Sequence, residues 1–177
     1  MNKTEFTKYC IADALFELMK TKKYHDITTK EVVEKAGFSR MSYYRNFKSM
    51  DDVLFYFLDV KFANFYKKKN INFNIENVRQ AIPLFLGSLS DPEQQEIDEI
   101  FFKQGLEHII FENNRRQIMK ASNKERLFAN LFINGGFNEI YYNWMIRGRK
   151  ESPEEVVKLL QEQIERDLKI MSEESVY

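Results

Sequence analysis

Residues 27–48 read ITTKEVVEKAGFSRMSYYRNFK, and this stretch decides the fold. Thr28 predicts a helix N-cap, with Glu31 three positions on as its capping-box partner. Val32, Val33 and Ala36 form the inward side of the short helix that follows. Gly37 ends it, because glycine enters the left-handed conformation at little cost. Ser39 can cap another helix at once, about Arg40 to Phe47. Two helices joined by the turn Gly37-Phe38-Ser39 have helix-turn-helix proportions. The second holds few aliphatic residues and many that hydrogen-bond or stack: Arg40, Met41, Ser42, Tyr43, Tyr44 and Asn46, with Phe47 left as the anchor. Side chains that face outward in this way suit the major groove of a duplex. Thr28 and Thr29 place hydroxyls and backbone N–H groups at a helix N-terminus, a natural phosphate site, and Lys48 adds a cation beyond. Lys30 and Ser39 complete the candidate DNA-contacting set.

Working outward, Phe6, Cys10, Ala14 and Leu18 recur every four residues with Ile11 and Leu15 beside them, which predicts an amphipathic helix over about 4–20 with Cys10 on its buried stripe. Lys20, Lys22 and Lys23 crowd its end, where cations suit the helix dipole. Ser49, with Asp51 and Asp52, opens a long fourth helix to about Asn70, with Val53, Leu54, Phe57, Leu58, Lys61, Phe62 and Phe65 on its apolar face. A fifth helix follows over about Glu76 to Leu89, with Pro83 as a kink. Asp91-Pro92, with Gln94 three residues after the cap, opens a helix to about Glu112; a short one follows at Arg115 to Lys120. Gly105 lies inside the longer of these. Ser122 with Glu125 opens another, ended near Arg147 by Gly148. Ser152-Pro153-Glu154-Glu155 opens the last, with Val156, Leu160, Ile164 and Leu168 on one stripe. No strand alternation competes. The expected architecture is all-α: a three-helix head, residues 1–48, joined by a long helix to a helical remainder, residues 49–177.

Composition agrees. The 177 residues suffice for one or two domains, and a chain of this length buries roughly 70% of its unfolded surface. Hydrophobic residues make up 44%, with 16 Phe and 9 Tyr to fill a core, while 6 Gly and 3 Pro argue against a turn-rich all-β protein. One cysteine excludes an intramolecular disulfide. His25 and His108 stand too far apart for a usual zinc site. No apolar run is long enough to cross a bilayer. Glu5 and Asp13 interrupt the N-terminal apolar stretch, unlike a signal peptide, so the expected location is cytoplasmic. The charged residues balance, 27 basic against 27 acidic, but residues 1–50 hold ten basic against six acidic, a balance of +4, and the remainder carries −4. A basic end suggests a polyanionic partner. No Gly-rich phosphate loop, Gly-x-Ser-x-Gly or His-Glu-x-x-His is present, and Asp98-Glu99 and Glu154-Glu155 read as solvated faces, so neither catalysis, a cofactor nor a metal is expected.

The run Ile27–Lys48 resembles the N-terminal DNA-binding domain of the TetR family of transcriptional regulators. Ile11 through Tyr24 resembles that family's first helix, and Lys48-Ser49-Met50-Asp51-Asp52-Val53-Leu54 resembles the start of its fourth; the close likeness covers about residues 8–60. A weaker one covers Gly135-Gly136, Trp144, Gly148 and Ser152-Pro153-Glu154-Glu155, which look like the last two helices of many members. The resemblance implies that Tyr44, Lys48, Thr28 and Thr29 grip phosphates and that Arg40 to Tyr43 and Asn46 face the groove. Three residues depart from the pattern. Lys23 stands where glycine is frequent, at a cost of about 1 kcal/mol if it turns left-handed. Val33 replaces a small residue. Met41, also in place of a small residue, suits apolar contact such as a thymine methyl.

The predicted helix from Ser122 is apolar on more than one side, which argues for burial and, with the last helix, for a dimer interface through Phe132, Gly136, Ile140, Trp144, Val156, Leu160 and Ile164. The alternative is an intrachain core. The glycine pair costs about 1 kcal/mol per residue in a helix unless close helix approach offsets it. In a dimer, two heads about 34–36 Å apart match successive major grooves. The resemblance also implies a small-molecule site among the middle helices, for which Phe62, Tyr66, Phe85, Phe101, Phe102, His108 and Phe111 are candidates; each also serves as plain core. The expected protein is a homodimeric, sequence-specific regulator, a repressor that binds a palindromic operator in double-stranded DNA and is released by a small-molecule effector, with no membrane partner. The rival expectation is a coregulator of the same fold that binds a protein partner instead of DNA.

Overall fold

In the computed structural model, residues 2–68, 87–122, 124 and 127–174 are described. Regular structure among them is helical: α1 (Lys3–Met19), a 3-10 turn (Tyr24–Asp26), α2 (Thr29–Ala36), α3 (Arg40–Asn46), α4 (Met50–Lys68), α5 (Pro92–Lys103), α6 (Glu107–Ala121), α7 (Leu127–Ile146) and α8 (Pro153–Glu174). The all-α expectation holds, and no strand occurs among the described residues. Pro83, Phe85 and most of the fifth predicted helix lie outside them, as does Glu125. No helix among the described residues is long and apolar enough to cross a membrane.

The chain divides into two compact units, residues 1–73 with 98–121, and residues 74–97 with 122–177. In the first, α1 packs on α2, α3 and α4, and α4 packs on α6. Ile11, Leu15, Val32, Val53, Leu54 and Leu58 are fully buried there, and Phe16 stacks on Phe57 at 4.5 Å. The three helices of the head therefore share one core with α4, and residue 48 does not separate two packed bodies.

The inward face of α1 lies one position from the expected stripe. Thr7, Ile11, Ala14, Leu15 and Met19 are buried, Phe6 is 51% exposed, and Cys10 and Leu18 are only half-buried. A one-residue step turns a helix face by about 100°, so phase errors of this size follow from small ambiguities in an apolar stripe. Thr7 is tolerated inside because its hydroxyl donates to the Lys3 carbonyl at 2.9 Å.

The local signals act as read. Glu31 N–H donates to Thr28 Oγ1 at 3.3 Å, while the Glu31 carboxylate accepts from Thr28 N–H at 2.8 Å. Gly37, at φ 74°, ends α2, with Gly37 N–H on the Glu34 carbonyl and Phe38 N–H on that of Val33. Ala36 is half-buried beside the buried Val32 and Val33. Lys23 is not left-handed: at φ −65° and ψ 136° it is extended, so the expected strain is absent. The single helix expected from Pro92 to Glu112 is instead broken. Gly105, at φ 68°, closes α5 with Gly105 N–H on the Phe102 carbonyl and Leu106 N–H on that of Phe101, and α6 then runs unbroken through 112–121. Asp98 is 4% exposed and does not belong to a solvated face, whereas Glu99 is exposed.

In the second unit, Leu89, Trp144 and Val157 form a core against which Phe137, Tyr141, Met145 and Val156 pack. Trp144 Nε1 donates to the Glu151 carbonyl at 2.9 Å. Trp144, 6% exposed, thus serves its own protomer, correcting its expected place on an intermolecular face, while Val156 is half-buried against the same core. Ile140 and Leu160 are half-buried, and the Ile164 side chain is outside the described set. Nor is α7 buried all round: Phe128 and Phe132 are 78% and 84% exposed, and Gly135 and Gly136 lie on the same open face. Ser152 Oγ caps α8 by accepting from Glu155 N–H at 3.1 Å.

Candidate nucleic-acid interface

Two capped helices build the surface. Ser39 Oγ accepts from Ser42 N–H at 3.2 Å and fixes the start of α3. Phe47, 5% exposed, anchors its end, its ring 5.8 Å from Tyr56. Ser49 Oγ accepts from Asp52 N–H at 3.0 Å, and the Asp52 carboxylate accepts from Lys48 N–H at 3.1 Å, so the segment carrying Lys48 is held at the mouth of α4.

The adjacent tyrosines part ways. Tyr44 is 63% exposed and Met41 is 70% exposed, alongside exposed Arg40, Arg45 and Lys48. Tyr43 is 2% exposed, which corrects its expected outward orientation. Its ring meets Tyr44 edge-on at 5.3 Å and Phe47 at 5.9 Å, and its hydroxyl reaches Met50 Sδ at 3.7 Å. Burial, with Tyr44 and the carboxylates of Asp52 and Asp51 adding, pushes the Tyr43 hydroxyl up to about 12. A seven-residue helix must still bury one side, and positions 43 and 47, four apart, are that side.

Among the remaining candidates, Thr28 and Lys30 are exposed and Thr29 is half-buried. Thr28 Oγ1 donates to the Glu31 carboxylate at 2.7 Å, so its side chain is occupied by the cap. Ser42 Oγ lies 3.1 Å from Ser39 Oγ, and Asn46 Nδ2 donates to the Ser42 carbonyl at 2.7 Å. Ser42 and Asn46 thus turn toward their own helix. Lys30 pairs with Glu34 at 3.8 Å, whereas Arg40, Arg45 and Lys48 make no ion pair among the described residues. Arg45 is an outward cation that the sequence reading left out, although its place next to Tyr44 on a short helix signals it. Lys22 Nζ lies 2.7 Å from the Glu31 carboxylate; that contact and the two Thr28 bonds hold Glu31 down at about 2.

The candidates for a small-molecule site separate further. Phe101 is fully buried, Phe62 and Tyr66 are half-buried and stack at 6.1 Å, and the half-buried Phe102 and Phe111 meet edge-on at 6.3 Å. Burial pushes the Tyr66 hydroxyl up to about 12. His108 is exposed, so it belongs neither to a core nor to an enclosed site. Asn113, missed in the sequence, is 1% exposed and its Nδ2 has no acceptor among the described residues. No cluster of His, Cys, Asp or Glu among the described residues is arranged to hold a metal ion.

Residues 11–57 match a family model described as bacterial regulatory proteins, tetR family, and residues 62–166 match one described as a transcriptional regulator C-terminal region. No curated protein matches the chain.

Proposed function

The chain belongs to the tetR family of transcriptional regulators, and from that premise we propose that it is a cytoplasmic, homodimeric repressor that binds a palindromic operator in double-stranded DNA and is released by a small-molecule effector. The observation that carries the proposal is the outward face of α3. Arg40, Met41, Tyr44 and Arg45 are exposed on one short, doubly capped helix whose other side is locked by Tyr43 and Phe47. Such a helix offers cations and a hydroxyl to phosphates and an apolar tip to base edges. The +4 balance of residues 1–50 favours the same polyanion.

A dimer is supported by Phe128 and Phe132, both more than three-quarters exposed on α7 beside two glycines at which a Cβ would meet nothing within 4 Å among the described residues. Burying each phenylalanine stabilises an interface by about 1.5–3 kcal/mol. An effector is supported by the half-buried aromatic pairs and by Asn113 Nδ2, which an acceptor on the ligand would satisfy. A hundredfold change in DNA affinity requires about 2.7 kcal/mol of coupling.

The test is a mobility shift with fragments of genomic DNA at two salt concentrations. Binding that falls steeply with salt, with a slope near −0.9 per phosphate contact, supports the proposal. Replacing Lys48 by Ala lowers that slope by about 1. A shift indifferent to salt, or to removal of Tyr44 and Lys48, refutes it.

A further inference from the structure

Helix α1 ends without the glycine that closes α2 and α5. Thr21 N–H and Lys22 N–H both turn back to the Leu18 carbonyl, and Lys23 continues extended. The last carbonyls of a helix have no donor within it and must find one elsewhere. Here the donor comes from Gln104, more than eighty positions on. Its Nε2 donates to the Met19 carbonyl at 2.8 Å and to that of Lys22 at 2.9 Å, and its Oε1 accepts from Tyr24 N–H at 2.9 Å. Both amide protons and one lone pair of the oxygen are engaged, three of the four hydrogen bonds a carboxamide can make. Gln104 sits between the end of α5 and Gly105, in the break itself.

The clasped turn reaches the reading head through two side chains. Lys22 Nζ lies 2.7 Å from the Glu31 carboxylate, which forms the capping box of α2. The Tyr24 hydroxyl donates to Asp51 in the first turn of α4; its burial, with that carboxylate second, raises its pKa well above the ordinary value.

We propose that Gln104 is a positioning residue for DNA recognition, the clasp through which the α5–α6 break sets the α1–α2 turn and so the placement of α2 and α3. This rests on the DNA-binding reading above. A local glycine cap would make the turn independent of the rest of the chain. A remote side-chain cap makes it depend on where the break stands. Any rearrangement at Gly105 that withdraws the carboxamide releases three hydrogen bonds at the turn. By linkage, DNA that selects the clasped turn favours the matching arrangement of the break.

The test compares wild type with Gln104→Ala and with Gln104→Glu (which keeps the size and loses both donors). Amide exchange over residues 20–33 is followed in the free protein. Affinity is measured for a duplex enriched by the wild type from a random pool. In both single variants, residues 20–33 exchange about tenfold faster while residues 54–58 in the core of α4 keep their protection. Both bind the duplex about tenfold more weakly. Unchanged exchange in both single variants overturns the clasp. Faster exchange with wild-type affinity overturns its role in recognition. Failure of the wild type to enrich any duplex overturns the DNA-binding reading, and with it that role, while exchange alone still decides whether the clasp holds the turn.

Discussion

Tyr43 and Tyr44 are neighbours in sequence with opposite surroundings, and exchanging each for alanine tests the proposed division between fold and DNA binding. Tyr43 is 2% exposed, with rings of Tyr44 and Phe47 at 5.3 and 5.9 Å. Removing a buried aromatic side chain costs about 3–5 kcal/mol, transfer and cavity together. For a chain of this length each kcal/mol moves the midpoint of thermal unfolding by about 2–4 °C, so Tyr43→Ala lowers it by roughly 6–20 °C. Tyr44 is 63% exposed, and what it loses is chiefly its edge-on contact with Tyr43, worth about 0.5–1.5 kcal/mol. Tyr44→Ala therefore unfolds within a few degrees of wild type but loses DNA binding. Circular dichroism melts of the two variants, run beside mobility shifts at 0.1 M salt, make the comparison. Equal midpoints for the two, or a wild-type shift from Tyr44→Ala, refute the division of labour on α3.

Gly37→Ala destabilises by about 1–2 kcal/mol, because φ is 74° and nothing lies within 4 Å to hinder or help a Cβ; urea titration reads the change directly. Gly136 is exposed, and a Cβ there meets nothing within 4 Å among the described residues, so Gly136→Arg leaves the protomer folded; sedimentation velocity of the variant shows monomer, and an unchanged dimer excludes this face of α7 as the interface. Glu31 is held at about 2 against an ordinary 4.5, so the stability it contributes is complete above pH 4.5 and is lost as pH falls from there toward 2; an NMR titration of its carboxyl shows this, and in Lys22→Ala the midpoint rises toward 4.5. A Glu31 midpoint unmoved by that substitution refutes the pairing. Thr28→Ala removes the N-cap of α2 for about 1 kcal/mol, measured by the same urea titration, with a wild-type midpoint counting against the cap.

What was legible in the sequence was local. The caps at Thr28, Ser39, Ser49 and Ser152 and the stop at Gly37 depend on residues three or four positions apart, so their chemistry is written side by side. The phase of α3 was not legible, because seven residues offer too few apolar positions to say which side turns inward, and two adjacent tyrosines look alike on paper. Trp144 lay on a helix apolar on several sides, a pattern that marks burial without saying whether the covering surface is its own α8 or another chain. Gln104 carried no signal at all, since its partners stand eighty and more positions earlier and are backbone atoms. The absence of glycine at position 23 was visible, but its consequence was sought in the strain of Lys23 rather than in a distant side chain.

Selection of duplexes by the purified protein from a random-sequence pool tests the central claim most directly. The account predicts an enriched, two-fold symmetric sequence whose half-sites lie one helical turn, about 10 base pairs, or a multiple of it apart, and which Tyr44→Ala protein fails to retain. Recovery of a pool no different from the input, or of a single unpaired half-site, contradicts it.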